Sequence, residues 1–187
     1  MSELPDPAGF QGDELLTWSG LATVLEWLPA LLDAQLQRDA GLTHFEYGLL
    51  YALASAPDRT LRLSVLAGYA NSSLPKLSRA VTRLERRHWA HRTTDPTDGR
   101  YTLATLTDLG QVTFEQATPG HVATVRQLVL TPLTASQRRQ LRDITQRILT
   151  AAGPGQPWPA PPEEPPADPD GHRRAQRPAS RLTDEDR

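Results

Sequence analysis

The 187 residues carry 22 acidic and 20 basic side chains, a formal net charge of −2, and no cysteine. A chain of this length supports one sizeable core plus an extension, and the absence of thiols from it excludes disulfides, zinc–thiolate sites and a thiol redox switch. The charge is unevenly placed: residues 1–58 hold 9 acidic and 1 basic side chains, residues 59–101 hold 9 basic and 3 acidic ones, so a block suited to a polyanion sits inside a mildly acidic protein.

Residues 1–12 read as a flexible start without the basic segment and apolar run of a secretory signal. No stretch reads as the roughly 20 apolar residues of a bilayer span, so a cytoplasmic protein without membrane contact is expected. Over residues 13–39, Leu15, Trp18, Ala22, Leu25, Leu32 and Leu36 recur at helical spacing, with Leu21, Val24, Leu28 and Leu31 as a second row. A helix apolar on two stripes needs two surfaces to cover it, and a second copy of the chain is the economical source of one. Pro29 inside the pattern predicts a kink or break near Leu28.

Thr43 and Glu46 have capping-box spacing and open a second helix with Leu49, Leu50 and Leu53 on its buried face, ended by Pro57 and Asp58. Residues 60–63 read as a strand, and Ser64 as the cap of a short helix containing Val65, Leu66 and Tyr69. After the turn Asn71-Ser72-Ser73, the helix over residues 73–88 has two stripes: Leu74, Leu77, Val81 and Leu84 for packing, and Lys76, Arg79, Arg83 and Arg86 displaced by about 100°. A hairpin follows, residues 89–94 and 101–106 around a tip marked by Pro96 and Gly99, although Leu103 and Leu106 cannot share one face of a regular strand. A helix from Thr107 toward Leu130, interrupted at Pro119-Gly120, precedes a second capping box, Thr134 with Gln137, and a last helix faced by Leu141, Ile144, Ile148 and Leu149. Residues 153–187 are proline-dense and mixed in charge, the composition of a disordered tail.

Strand, short helix, turn, basic helix and hairpin over residues 60–106 form the element order of a winged helix-turn-helix, which with the preceding helix spans residues 43–106. A helix fits the major groove of duplex DNA with its N-terminal residues at the base edges. Ser72, Ser73, Lys76 and Arg79 are the candidates for that contact. Arg83, Arg86, Arg87 and Arg92 suit phosphates, and Arg100 at the tip suits the minor groove, with Asp98 placed to orient it.

The stretch SSLPKLSRAVTRLERRHWAHRTTDPTDGRYTLATLTDLG resembles the recognition helix and wing of the multiple-antibiotic-resistance regulator (MarR) family. The marks are Arg83-Leu84-Glu85, Asp95-Pro96, Asp98-x-Arg100 and Leu106-Thr107-x-x-Gly110, and the likeness extends over roughly residues 13–152; it departs at His88, where glycine commonly ends the helix. The resemblance implies a mainly α fold with a small β-wing, dimerisation helices at 13–39 and 107–152, and a homodimer on a pseudo-palindromic operator. It further implies a transcriptional regulator, often a repressor released by a small aromatic or lipophilic effector bound between the dimerisation and DNA-binding parts. Trp18, His44, Tyr47, Tyr51 and His121 lie on helices that could border that cleft, though aromatic residues at helical spacing are more often plain core.

An arginine stripe taken alone is an ordinary solvated face, and Asp98 with Arg100 an ordinary turn ion pair; the flanking turn and wing favour DNA over both. His88-x-x-His91 lacks a third ligand in sequence, so no metal is expected. With no phosphate loop, nucleophile elbow or paired catalytic carboxylates, neither catalytic residues nor a cofactor are expected. The competing reading is a winged-helix module for protein contacts without specific DNA binding, which has no need of a cationic block.

Overall fold

The computed structural model describes residues 9–153, so the expected tail beyond Gly153 and most of the expected flexible start lie outside the described residues. In chain order come α1 (Asp13–Ala40), α2 (His44–Ala54), a 3-10 turn (Pro57–Arg59), β1 (Thr60–Arg62), α3 (Leu63–Tyr69) and α4 (Leu74–Arg86). The hairpin β2 (Ala90–Thr94) and β3 (Thr102–Leu106) follows, then α5 (Asp108–Val125), a π-helical turn (Arg126–Leu130) and α6 (Ala135–Ala152). The result is the mainly α winged helix-turn-helix with a small β-wing that the sequence pattern implies, flanked by long helices.

The fully buried side chains Leu36, Leu42, Leu49, Leu50, Leu53, Leu66, Leu77, Val81 and Leu84 form one core. Each contributes on the order of 2 kcal/mol by leaving water, and α2 supplies three of them to the centre. Both capping boxes form: the Thr43 hydroxyl accepts from the Glu46 N–H at 3.0 Å while Glu46 accepts from the Thr43 N–H at 3.1 Å, and Thr134 with Gln137 does the same. The sheet has order β1-β3-β2, antiparallel throughout, with Ala90 opposite Leu106 and Arg92 opposite Ala104. Ala104 and Leu106 turn into the core and Leu103 lies on the other face, which resolves the imperfect alternation of this strand.

Four local expectations are corrected. α1 runs uninterrupted through Pro29; the carbonyl that loses its donor belongs to Leu25, an exposed residue whose backbone water can satisfy. α5 likewise continues through Pro119, above the exposed Glu115, and the regular helix gives way only at the π turn after Val125. Ser64 does not cap α3, which begins at Leu63 after Arg62. Leu74 is 52% exposed rather than part of the packing row of α4, whose buried face is Leu77, Ala80, Val81 and Leu84.

Candidate nucleic-acid interface

The buried stripe of α4 packs the helix on the body, and the cations take the exposed side next to it. Ser73 is the extended residue ahead of α4, and Ser72, Ser73 and Lys76 stand at its open end. The Lys76 ammonium lies 5.1 Å from the centre of the Phe45 ring. Arg79 and Arg86 are exposed and make no ion pair or hydrogen bond among the described residues. Arg83 differs: its Nε donates to Glu46 Oε1 at 2.7 Å. Burial pushes the Glu46 carboxyl up, but hydrogen bonds from Arg83 and Thr43 outweigh it and hold the group below its ordinary value. One buried carboxylate therefore both caps α2 and holds the Arg83 guanidinium of α4. Arg87 donates to the Gly41 carbonyl at 2.7 Å and stacks over Trp89 at 4.6 Å.

The hairpin tip is tightly braced. Asp95, buried, accepts from the N–H and hydroxyl of Thr97 at 2.9 and 2.7 Å and from Arg62 Nε at 2.9 Å, while Arg62 stacks over Tyr101 at 4.2 Å. The Thr97 bonds first, and Arg62 after them, hold its carboxyl down to about 2. At the outermost point Arg100 donates Nε and Nη2 to the two Asp98 oxygens at 2.9 and 2.7 Å, with its side chain 84% exposed. The expected orienting pair is thus present. Arg92, also expected to contact DNA, is bonded to Glu85, Ser78 and Thr82 of α4.

Between α2 and α5 lies a cavity of about 630 Å³. His44, Tyr47, Tyr51 and His121 all line it, with the His121 ring 5.6 Å from His44 and 4.4 Å from Tyr47. Trp18 is not brought there: it sits near the start of α1 with its ring 6.4 Å from Phe10. Burial lowers His44, partly offset by Asp33, and lowers His121, aided by His44, which favours the neutral form of both rings. His121 Nδ1 is buried and unpartnered among the described residues. The sequence reading missed Phe45, Val122, Val125 and Arg126 on the wall. Val125 and Arg126 stand four residues after His121 and Val122, so extending the helical register from His121 would have found them.

A second groove, about 540 Å³, runs between α1, the π turn and α6, lined by Trp27, Leu28, Leu31, Leu128, Leu133 and Ile144. Several of the apolar side chains along it are open to water, including Val24, Trp27 and Ile144. α1 is in fact long and apolar enough, by length and composition, to cross a membrane, contrary to the sequence reading.

No protein-family model and no curated protein matches the chain. Among solved structures it is similar to Sco3205, a MarR family transcriptional regulator from Streptomyces coelicolor solved in complex with DNA, at 39% identity and a TM-score of 0.75 over 82% of this chain and 96% of that one. AbsC, a MarR family transcriptional regulator of the same organism, gives 29% identity and a TM-score of 0.73 over 79% and 99%. The PcaV transcriptional regulator, also from that organism and solved with its natural ligand, gives 27% and 0.63 over 76% and 99%. With this identity sustained over nearly the whole of a solved relative, the chain belongs to the MarR family of transcriptional regulators.

Proposed function

We propose that the protein is a homodimeric, cytoplasmic, non-enzymatic regulator that binds a pseudo-palindromic duplex operator and represses transcription until a small aromatic or lipophilic ligand enters the α2/α5 cavity. The observation that carries this reading is the division of α4: Leu77, Val81 and Leu84 are fully buried while Lys76, Arg79 and Arg86 are exposed on a helix thin enough for the major groove. Ser72, Ser73, Lys76 and Arg79 are assigned to base edges, Arg83 and Arg86 to phosphates, and Arg100, steered by Asp98, to the adjacent minor groove. The DNA-bound relative supports the first part, and the ligand-bound relative supports the second.

The apolar surface left open on α1 and α6 supports the dimer, since a patch of this kind in water marks an interface. His44, Tyr47, Tyr51 and His121 form the effector wall. Selection of bound duplexes from random DNA, followed by titration at two salt concentrations, tests the reading. The expected motif has half-sites about 10 base pairs apart, and affinity falls steeply with salt as condensed counterions are released. No duplex affinity at low salt would leave a protein-contact module in its place.

A further inference from the structure

Arg92 lies on the wing, but its hydrogen-bonding capacity is directed into the protein. Nε and Nη2 donate to the two Glu85 oxygens at 3.1 and 2.6 Å, Nη2 also to Thr82 Oγ1 at 3.1 Å, and Nη1 to Ser78 Oγ at 3.1 Å. Its backbone N–H adds a bond to Glu85 at 3.0 Å. Four of the five guanidinium donors are thereby occupied. Ser78, Thr82 and Glu85 form one line along α4, and Arg79, Arg83 and Arg86 each stand one residue further on. The clamp thus borders the cationic line itself. β2 is an edge strand paired with β3 alone; beyond the short turn that joins it to α4, the side chains that hold it there are chiefly the buried Ala90 and this arginine.

We propose that Arg92 and Glu85 are positioning residues for DNA recognition: their bidentate pair, steadied by Ser78 and Thr82, fixes the wing against α4 so that Arg100 and the α4 cations meet one duplex together. This rests on the duplex-binding reading above. A wing free to swing would have to be ordered on binding, at the expense of affinity; a clamped one is already in place. Charge alone predicts the opposite for Glu85, because a carboxylate amid the phosphate-facing arginines repels DNA.

The test titrates the selected operator with wild type, Glu85→Gln, Arg100→Ala and the double variant, each checked for its melting temperature. Glu85→Gln removes a negative charge yet is expected to weaken binding by about tenfold, and Arg100→Ala is expected to add little to that loss, the non-additivity of residues within one unit. Arg92→Lys keeps the charge but not the fork and is expected to lose affinity alongside Glu85→Gln. Thr82→Val removes a single clamp bond and is expected to show the same pattern more weakly, which covers the case in which Glu85→Gln does not fold. Tighter or unchanged binding by a folded Glu85→Gln, losses that multiply with Arg100→Ala, or full affinity in Arg92→Lys would each overturn the proposal while leaving DNA binding intact. Wild type that holds no duplex would overturn the DNA reading itself.

Discussion

Single side chains in the wing depend on a carboxylate that is hard to protonate. Asp95 is held down to about 2 by Thr97 and then Arg62, whereas an aspartate in an unfolded chain titrates near about 3.9. The stability it contributes is therefore complete above about pH 4 and is lost as the pH falls through about 2. Asp95→Asn is expected to melt below wild type at neutral pH, with the gap closing between about pH 4 and pH 2; thermal unfolding followed by circular dichroism checks this, and a gap independent of pH would deny the carboxylate its role. The Asp98–Arg100 pair was legible in the sequence because its partners are two residues apart in one turn. Arg92 was not, since Ser78, Thr82 and Glu85 come to it from another element, and a cation on a hairpin reads as solvent-facing until the packing of β2 on α4 is known. The hold of Glu46 on Arg83, across 37 residues, was hidden for the same reason.

Elements were legible where local rules set them, and least so where tertiary packing or water relaxed those rules. Both capping boxes and the two-striped α4 follow from short-range spacing, whereas Pro29 and Pro119 are absorbed because each faces water. The end of α4 shows a rule obeyed by an unusual residue. His88 takes the left-handed position at φ 58°, its N–H bonded to the Glu85 carbonyl at 2.9 Å and the Trp89 N–H to the Leu84 carbonyl at 2.9 Å, the Schellman pairing that glycine usually completes. A side chain in that region costs about 1–2 kcal/mol, so His88→Gly is expected to stabilise the protein by about 1 kcal/mol after allowing for the freer unfolded chain. Denaturant titration measures it, and destabilisation would mean that the imidazole makes a compensating contact. Gly110 is the converse case. A Cβ there would lie 2.0 Å from the Trp89 carbonyl oxygen and 2.7 Å from Leu106 Cδ1. α5 can begin against the hairpin only because that side chain is missing, and Gly110→Ala is expected to cost about 3 kcal/mol by overpacking, with wild-type stability in the same titration contradicting it.

At the scale of the whole molecule, the core of the winged helix is closed while the long helices are not. Leu36, at the end of α1, is fully buried, but Trp27 is 66% and Val24 52% exposed in the middle of the same helix, facing a groove that Ile144 of α6 shares. A second copy covering this surface, as in the proposed dimer, would also set the spacing of the two α4 helices and so join dimerisation to operator recognition. Each half would bind as a tethered module, for which joining two sites raises affinity by about 10²–10⁴ over one. Trp27→Glu combined with Ile144→Glu places like charges in the covered groove without touching the core, α4 or the wing. The expected variant sediments as a monomer, keeps a cooperative thermal transition, and binds the two-half-site operator about a hundredfold or more weaker, while its affinity for a single half-site stays near that of wild type. A dimeric variant would move the interface away from this groove; a monomeric one with full operator affinity would separate dimerisation from recognition.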